Sequence, residues 1–402
     1  MTINIDTIKE AREILEGNVE KTPIYTASRM GKNLYIKMEN LQKTGSFKLR
    51  GAFNKVAHLS KEQAERGVIS SSAGNHAQGL ALSATKQGIK SYICIPSIAP
   101  LSKIEATRGY GGEVIIVDGT FDDAQQRAHE IEKEKNLTYV APFDDEYVIA
   151  GQGTIGLEIL EQLPDVKYIV VPIGGGGLIA GIALAVKSLR NDVKIIGVEP
   201  ENAASMSASR KAGKPVTLDS VKTMADGIAV KRPGDITFDL IEKYVDEIVT
   251  VSEDDITNAI LRLLEESKVT AEGAGASSVA AVLEEKYDFS DGKVCAVLSG
   301  GNININTISQ IINQGLFKTG RLAEITTIIS DTPGELIKLL SVIKDLGANI
   351  MEINQYKSAE TVGFDHAVVR IVAETYNEDH RRNLYKSLAD KGYKETHARE
   401  TI

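Results

Sequence analysis

The stretch Tyr168-Ile-Val-Val-Pro-Ile-Gly-Gly-Gly-Gly-Leu-Ile-Ala180 joins an apolar, strand-like run to a helix-like run through four glycines. Residues 168–173 are rich in Val and Ile, as in a strand buried on both faces, and the apolar run 178–189 predicts a buried helix. Strand-like and helix-like segments alternate in this way along most of the chain. Helices on both faces of a parallel sheet produce this pattern, so we predict an α/β fold.

The composition of the 402-residue chain is that of a globular protein with two or three domains. Hydrophobic residues make up 42% and charged residues 25%, which excludes a disordered chain, a collagen-like repeat and a disulfide-stapled miniprotein. The formal net charge is −9, and no basic stripe is visible. We therefore expect no nucleic-acid partner.

Three features bear on where the protein works. Cys94 and Cys295 each lie in an apolar strand-like run, which predicts buried, reduced thiols. The start of the chain has no basic segment followed by an apolar core, as a signal peptide would have. No window reaches eighteen uninterrupted apolar residues. We expect a soluble, cytoplasmic protein without a membrane partner.

The periodicity changes near the C-terminus. Residues 324–399 follow the order strand, helix, strand, strand, helix, strand, and the strands alternate apolar and polar residues, as in 366–372. This βαββαβ order is the ferredoxin-like pattern. We place a boundary at 315–324, with one domain over 1–318 and a second over 324–402. The segment 202–235 is rich in Gly and Pro, and we expect it to be loop-rich.

The four glycines Gly174–Gly177 lie between a strand and a helix, where main-chain N–H groups converge on an anion. This arrangement favours a phosphate ligand over a plain tight turn. A dinucleotide is one alternative, because Gly175–Ala180 satisfies G-x-G-x-x-A and Glu199 lies 22 residues after Gly177, where a ribose-binding acid is expected.

Three further segments have the composition of ligand-binding loops. Ser71–Gln78 joins a strand to a helix and could hold a carboxylate, although an ordinary helix N-cap has the same composition. Val297–Asn302 ends a strand in a glycine turn, which places Ser299 at the carboxyl end of a sheet or in a plain turn.

The third of these segments, Lys43–Ala52, contains Lys48, which lies near the start of a predicted helix. This helix is predicted over 46–59, and the positive end of a helix disfavours a further cation. A lowered pKa would make this amine a candidate for Schiff-base chemistry, whereas the alternative is a solvated lysine. The six histidines are scattered, and the sequence contains no HExxH, CxxC, P-loop or Gly-x-Ser-x-Gly pattern.

Taken together, Ser46–Gly51, Ser71–His76, Gly174–Leu178 and Leu298–Asn302 resemble, in order and spacing, the threonine/serine dehydratases of fold-type II pyridoxal-phosphate enzymes. The resemblance spans about residues 5–318. It implies two open parallel-sheet lobes, with a small lobe of about 51–143 inserted in the large one. The C-terminal segment resembles an ACT domain, with Asp331-Thr-Pro-Gly-Glu-Leu336 at its first strand–helix turn. A single ACT domain resembles the catabolic form of the family.

The resemblance implies a role for each matched residue. Lys48 would bind the aldehyde of pyridoxal phosphate covalently and serve as the base at the substrate α-carbon. The other implied cofactor contacts are Phe47 beside the ring, Asn75 at the 3′-oxygen, Ser299 at the pyridine nitrogen, and Gly174, Gly175, Gly176, Gly177 and Leu178 at the phosphate. The implied substrate-carboxylate loop is Ser72, Ala73, Gly74, Asn75 and His76.

The implied reaction is the deamination of L-threonine to 2-oxobutanoate and ammonia, with L-serine giving pyruvate as a secondary activity. The enzyme would serve isoleucine biosynthesis or threonine catabolism. Alternatives are a serine dehydratase or serine racemase of the same family, an NAD-type oxidoreductase using Gly175–Ala180, and a non-catalytic amino-acid sensor.

The chain departs from its relatives at two places. Serine racemases carry a second serine where this chain has Ala73, which has no group that can carry a proton. We therefore expect elimination without efficient racemisation. The racemases also bind a divalent metal through a Glu, a carbonyl and an Asp, and the matching positions here are Glu199, Ala203 and Ser205. Loss of the Asp weakens a hard cation site, so the metal is left open.

The ACT resemblance implies regulation. The turn at Asp331–Gly334 precedes a helix N-terminus suited to an anionic effector, and we assign Asp331, Gly334 and Asn349 to this site. Isoleucine, valine and a nucleotide are the candidate effectors, and a spacer or dimerisation module is the alternative. Because ACT domains generally pair, we expect a homodimer or homotetramer.

Overall fold

The computed structural model describes residues 3–357 and 363–394 and divides between residues 303 and 304 into two units. The helix Ile305–Lys318 falls in the second unit, whereas the sequence analysis placed it in the first domain. This helix leads through the turn at Gly320 directly into the first strand of the second unit, against which it packs.

The first unit has an α/β fold, as predicted. Its strands are β1 (Ile24–Thr26), β2 (Leu34–Met38), β3 (Val68–Ser71), β4 (Ser91–Pro96), β5 (Glu113–Val117), β6 (Thr138–Tyr139), β7 (Val166–Pro172), β8 (Lys194–Pro200), β9 (Glu247–Val251) and β10 (Lys293–Leu298). Its helices are α1 (Ile5–Leu15), α2 (Lys48–Ala57), α3 (Lys61–Arg66), α4 (Asn75–Lys86), α5 (Leu101–Gly109), α6 (Phe121–Lys135), α7 (Glu146–Gln162), α8 (Gly177–Leu189), α9 (Ser205–Ala212), α10 (Asp235–Tyr244), α11 (Glu253–Arg262) and α12 (Gly273–Leu283).

The larger sheet has the strand order β1-β2-β10-β7-β8-β9, and all neighbours are parallel except β1 with β2. The chain passes from β7 through β8 to β9 in one direction, whereas β10 lies on the other side of β7. The carboxyl ends of β7 and β10 therefore border a topological switch point, where α/β sheets bind ligands. The four glycines follow β7, and Ser299 follows β10.

The smaller sheet is wholly parallel, with the order β5-β4-β3-β6, and spans residues 68–139. The chain passes from β3 through β4 to β5 in one direction and returns to β6 on the other side of β3. The loop after β3, which contains residues 72–74, therefore lies at the switch point of this second sheet. Each of the two sheets thus carries a candidate ligand loop at its topological switch point.

Buried apolar side chains cover both faces of the larger sheet. The helix α8 is buried from Gly177 to Val186, as its apolar run predicts, and it packs against α7. Cys94 and Cys295 are buried and unpaired. Burial raises the pKa of the Cys94 thiol to about 11 and that of Cys295 to about 12, so both remain protonated.

One helix begins earlier than predicted because an aspartate directly before it caps its N-terminus. The helix predicted over 151–163 begins at Glu146, where Asp145 accepts hydrogen bonds from the N–H groups of Tyr147 and Val148. The glycine- and proline-rich segment 202–235 contains only the short helix α9 and two 3₁₀ turns, which fits the loop-rich prediction.

The helices α2 and α7 cross so closely that their backbones are in contact. A methyl group added to Gly151 would lie 2.7 Å from the Cα atom of Gly51 and 2.6 Å from the carbonyl oxygen of Arg50. The N–H group of Gly51 donates to the side-chain oxygen of Gln152 at 3.2 Å. Because neither glycine has a side chain, the two helices approach more closely here than larger residues would allow.

The second unit contains a three-stranded antiparallel sheet with the order β11-β13-β12. Its elements are α13 (Ile305–Lys318), β11 (Leu322–Ser330), α14 (Glu335–Asp345), β12 (Asn349–Tyr356), β13 (His366–Glu374) and α15 (Glu378–Asp390). The order and types agree with the predicted pattern as far as α15. The last predicted strand, 393–399, lies mostly outside the described residues, although the Thr327 hydroxyl donates to the carbonyl oxygen of Lys394 at 2.9 Å.

Within residues 3–357 and 363–394, no helix combines the length and the apolar character that crossing a membrane requires.

Candidate active site

Lys48 is the first residue of α2, and it is half-buried. The Nζ atom donates a hydrogen bond to the carbonyl oxygen of Pro142 at 2.7 Å. Burial lowers the pKa of Lys48 to about 8, although the negative charge of Glu272 opposes this change. The sequence analysis expected a lowered pKa from the helix N-terminus, but loss of water is the main cause. An appreciable fraction of this amine is neutral near physiological pH.

The main chain joins the segment before Lys48 to the segment after β10. Ser46 and Gly300 form an isolated β-bridge, and the N–H group of Phe47 donates to the carbonyl oxygen of Ser299 at 3.1 Å. The N–H group of Gly301 donates to Gly45 at 2.9 Å. Two of the four sequence segments are therefore held side by side by the backbone, and Ser299 is buried beside Phe47.

Asn75 connects a third segment to this pair. Its Nδ2 atom donates to Oε1 of Glu272 at 2.7 Å, and its Oδ1 atom accepts from Nδ2 of Asn302 at 2.8 Å. Asn302 also donates to the carbonyl oxygen of Thr44 at 2.8 Å. The sequence analysis did not identify Glu272 as a site residue. It is a single carboxylate ahead of a Gly- and Ala-rich helix, and it belongs to no spaced pattern.

The glycine loop opens α8 with a left-handed residue. Gly176 has φ +97° and precedes the first turn of the helix, which has no side-chain cap. The first-turn N–H groups are therefore available to an anion. The Thr237 hydroxyl donates to the carbonyl oxygen of Gly175 at 2.6 Å and holds the loop from the other side.

Phe143 connects the glycine loop to Lys48, and the sequence analysis did not identify it. A methyl group added to Gly175 would lie 2.3 Å from the Phe143 ring, and one added to Gly177 would lie 3.0 Å from the Phe143 Cα atom. The preceding residue, Pro142, accepts the hydrogen bond of Lys48. Glycine is thus required at these positions by close packing as well as by backbone conformation.

The loop after β3 presents main-chain donors rather than an imidazole. The Nε2 atom of His76 lies 3.0 Å from the carbonyl oxygen of Val140, which fixes the ring away from the loop. Burial, with a contribution from the charge of Lys48, lowers the pKa of His76 to about 3, so the imidazole is neutral. The hydroxyl of Ser72 accepts from the N–H group of Gly74 at 3.2 Å and shapes the turn that leads into α4.

Glu199 is engaged by the N-terminus of α9. Its two carboxylate oxygens accept from the N–H groups of Met206 at 2.8 Å and Ser207 at 2.9 Å, and from the Ser207 hydroxyl at 2.6 Å. The dinucleotide interpretation required Glu199 to bind a ribose, but both of its oxygens are occupied within the protein. Among the described residues, no cluster of three or more His, Cys, Asp or Glu side chains could hold a metal ion.

The three predicted effector residues do not come together within one chain. Asp331 follows β11 and pairs with Lys357 at 2.5 Å, and Gly334 has φ +95° at the start of α14. Asn349 pairs with Glu374, which on its other side pairs with Leu322, the first residue of β11. Because β11 and β12 run parallel to each other, Asn349 lies at the end of the sheet where β11 begins, whereas Asp331 follows the other end of β11. The assignment of the three residues to one effector site stays a prediction.

The comparison with known proteins agrees with this geometry. A family model described as pyridoxal-phosphate dependent enzyme matches residues 15–300. The chain belongs to the pyridoxal-phosphate dependent enzymes. The cofactor of this family is pyridoxal phosphate and not a dinucleotide.

Three relatives place the chain within the family. It is 50% identical to an L-threonine ammonia-lyase of Thermotoga maritima, over 97% of this chain and 98% of that one. It is 44% identical to the catabolic L-threonine dehydratase TdcB of Escherichia coli, over 77% of this chain and 96% of that relative. Among solved structures, a threonine deaminase of Solanum lycopersicum matches with a TM-score of 0.73 and 40% identity, covering 77% of this chain and 86% of that one.

Proposed function

We propose that the chain is a threonine ammonia-lyase that uses pyridoxal phosphate to convert L-threonine to 2-oxobutanoate and ammonia. L-Serine, which lacks one methyl group, would be a secondary substrate and give pyruvate. The observation that carries the proposal is the position of the Lys48 amine. The residue is half-buried, the pKa of its amine is lowered to about 8, and the amine donates to the carbonyl oxygen of Pro142, next to the Phe143 that packs on the glycine loop.

The residues at this place fit pyridoxal phosphate. The uncapped start of α8 and its left-handed glycine suit a phosphate group. The hydroxyl of Ser46, two residues before Lys48, and that of Ser71, at the end of β3, are buried without a partner among the described residues. Buried polar atoms are seldom left unpaired, so these hydroxyls are consistent with a polar ligand nearby.

Pyridoxal phosphate supplies an aldehyde that condenses with amines and a ring that withdraws electrons from the substrate α-carbon. Lys48 in its neutral form would bind this aldehyde and, once released, accept the proton from the α-carbon. Burial keeps the pKa of Lys48 near the working pH, which is the condition under which a general base is most effective.

The remaining roles are distributed over the two sheets. The N–H groups of Gly174, Gly175, Gly176, Gly177 and Leu178 would bind the phosphate. Phe47 would pack beside the ring, and Asn75 would donate to its 3′-oxygen. The Ser299 hydroxyl would face the ring nitrogen without giving it a full proton, so departure of the β-hydroxyl would be favoured over a long-lived carbanion.

The loop formed by Ser72, Ala73, Gly74, Asn75 and His76 would hold the substrate carboxylate. Because the His76 imidazole is directed to Val140 and is neutral, the main-chain N–H groups at the start of α4 would make this contact. A carboxylate bound there would lie at the switch point of the smaller sheet. This arrangement orients the α-carbon between that loop and Lys48.

An assay of ketoacid formation tests the proposal. The wild-type protein with pyridoxal phosphate should convert threonine and serine, and borohydride should fix the cofactor to Lys48, as peptide mass analysis would show. The Lys48→Ala variant should lose turnover and the covalent label. Lys55→Ala, on the same helix, should keep both. Normal turnover in Lys48→Ala, or a label on another residue, would contradict the proposal.

We further propose that the second unit is an ACT-type domain that regulates the enzyme. The support is the strand order β11-β13-β12 with two helices, which is the ferredoxin-like arrangement. Among the described strands β12 is an edge, and its Met351, Ile353 and Tyr356 are exposed. Antiparallel pairing of β12 with the same strand of a second copy would bring the partner's Asn349 towards Asp331 and Gly334. The protein would then be a homodimer or homotetramer.

Light scattering and the ketoacid assay test this regulatory proposal. We expect a dimer or tetramer, and a change in the rate with isoleucine, valine or a nucleotide. The response should fall in Asp331→Ala and persist in Lys344→Ala, which alters an exposed residue of α14. A monomer that responds to none of these compounds would contradict it.

A further inference from the structure

The side chain of Glu272 does not serve the helix that it precedes. It is the residue before α12, yet its side chain does not cap that helix. The carboxylate turns into the cleft instead, where Oε1 accepts from Asn75 at 2.7 Å, and the side chain is buried. A methyl group added to Gly300 would lie 2.3 Å from the same oxygen, so glycine at 300 leaves room for the carboxylate.

The hydrogen bonds fix the orientation of two side-chain amides without ambiguity. The carbonyl oxygen of Thr44 can only accept, so the group of Asn302 that faces it at 2.8 Å must be the NH₂ group. The same Nδ2 atom lies 2.8 Å from Asn75, whose facing atom must therefore be Oδ1. The NH₂ group of Asn75 then faces Glu272.

This arrangement leaves one donor of Asn75 unused by these partners. An amide has two N–H groups, of which one is donated to Glu272, while Oδ1 accepts from Asn302. The remaining N–H group is the one that would be donated to the 3′-oxygen of the cofactor ring. A reversed amide would present its oxygen there, and two oxygen acceptors would then face each other.

We infer that Glu272 and Asn302 are positioning residues that hold Asn75 with one N–H group directed to the ring oxygen, and that the Glu272 carboxylate sets the charge beside that oxygen. The inference rests on the proposed role of Asn75 in the proposed function. Three charged groups act on the Glu272 carboxylate: Lys48 from α2, Lys103 from α5 and Asp226 from the turn before α10. A carboxylate in this setting changes the electron density at the ring whenever its protonation changes.

The experiment compares the visible absorption band of bound pyridoxal phosphate, its pH dependence between 6 and 9, and the dissociation constant of the cofactor. The variants are Glu272→Gln and Asn302→Asp. Glu284→Gln is the matched control, because Glu284 accepts from Asn258 at 3.1 Å in an exposed pair of the same kind. The melting temperature of each apo protein reports whether the fold is retained.

Glutamine at 272 can still accept from Asn75, so we expect cofactor affinity within about threefold of the wild type but a band that no longer changes with pH around neutrality. Aspartate at 302 cannot donate to Oδ1 of Asn75, so the amide should turn, the band should shift, and affinity should fall about tenfold, as for loss of one hydrogen bond to a charged group. Glu284→Gln should behave as the wild type.

The outcomes separate this inference from the proposed function. If both variants lower the melting temperature but keep the wild-type band and its pH dependence, the residues are structural only and the inference is wrong. The isosteric Glu272→Gln variant keeps the test valid if Asn302→Asp does not fold. A wild-type protein that shows no band with pyridoxal phosphate would overturn the proposed function, and the inference with it.

Discussion

Arg50 and Glu39 form a bidentate ion pair that is buried within the first unit, with Nε–Oε2 at 2.9 Å and Nη2–Oε1 at 2.8 Å. The same guanidinium donates to Glu158 at 2.6 Å, and Lys37 donates to Glu158 from the other side at 2.5 Å. Two cations and two carboxylates thus neutralise each other in the interior. Because Arg50 lies two residues after Lys48, this network holds the helix that carries Lys48.

Replacement of Arg50 by Met should destabilise the protein strongly. It leaves the buried carboxylates Glu39 and Glu158 with Lys37 as the one remaining cation of this network. Breaking a buried pair in this way costs about 3–5 kcal/mol. The matched control is Arg190→Met, which breaks an exposed pair with Asp192 and should cost less than about 1 kcal/mol. Chemical denaturation of the two apo proteins measures both, and equal costs would contradict the prediction.

Replacement of Lys48 by Met should stabilise the apo protein at pH 7. The folded-state pKa of Lys48, about 8, lies below its ordinary value of 10.5, so protonation favours the unfolded chain. The penalty is complete below pH 8 and disappears as the pH rises through 10.5. We expect a gain of about 1–3 kcal/mol at pH 7 that shrinks in alkali, measured by denaturation from pH 7 to 10.5. Lys55→Met serves as the control, and a loss of stability in Lys48→Met would count against the burial argument.

The stability contributed by Glu272 should fall as the pH rises from its ordinary pKa towards neutrality. Burial, with a contribution from Asp226, raises the pKa of Glu272 from 4.5 to about 7. Between pH 4.5 and 7 the folded apo protein therefore holds a proton that the unfolded chain has lost, so the destabilisation grows over this interval and stays constant above pH 7. Glu272→Gln should match the wild type near pH 4 and be more stable above pH 7.

Removal of the charge of Asp226 tests the raised pKa of Glu272 in a second way. Asp226→Asn should move the midpoint of the Glu272 ionisation to lower pH, because one neighbouring negative charge is removed and Lys103 loses its partner. Asp192→Asn, at an exposed turn, should leave the midpoint in place. A midpoint that is the same in all three proteins would show that another group titrates.

Replacement of Gly175 by Ala should weaken cofactor binding. The added methyl group would lie 2.3 Å from the Phe143 ring, so either the ring or the glycine loop must move. A shift of the N–H groups that would bind the phosphate should raise the dissociation constant of pyridoxal phosphate at least about tenfold. Gly213→Asn is the control, because Gly213 has φ +66° with open space around it, and asparagine tolerates that conformation. Unchanged affinity for pyridoxal phosphate in Gly175→Ala would show that this loop does not bind the phosphate.

The wild-type protein should form pyruvate from L-serine without comparable D-serine. Ala73 has no hydroxyl group with which to return a proton on the second face of the substrate. Ala73→Ser should introduce measurable D-serine, which chiral chromatography detects against the pyruvate formed in parallel. Ala99→Ser, in the loop after β4, controls for a general effect of an added hydroxyl group. D-Serine formed by the wild type at a rate similar to pyruvate would refute this assignment.

The fold could be predicted because its signals are local. The edge strand β5, the buried strand β10 and the helix α6 have the predicted bounds, since Val/Ile runs and the cap of Thr120 mark them within a few residues. The helix α10 was missed, because its N-terminus is capped from outside by Asp144, whose carboxylate accepts from residues 235, 236 and 237. A cap that comes from so far away in the sequence leaves no local pattern.

The candidate site was predictable only where chemistry and motif coincide. Lys48 and the glycine loop lie in compact, spaced segments, so the sequence identifies them. Phe143 and Glu272 belong to no such pattern. Only their contacts in the folded structure, Phe143 with Gly175 and Glu272 with Asn75, identify them as candidate site residues. The opposite ends occupied by Asp331 and Asn349 follow from strand register, which the alternation of residues alone does not define.

The crossing at Gly51 and Gly151 has a consequence for how this enzyme could be altered. Since the backbones themselves touch there, the distance from the lysine-bearing helix to its neighbour does not depend on which apolar side chains fill the surrounding interior. Wide variation of those side chains should leave the amine in register with the glycine loop. Libraries that aim at new substrates can therefore diversify the apolar side chains around this crossing, provided that these two positions remain without a side chain and the buried charges are kept.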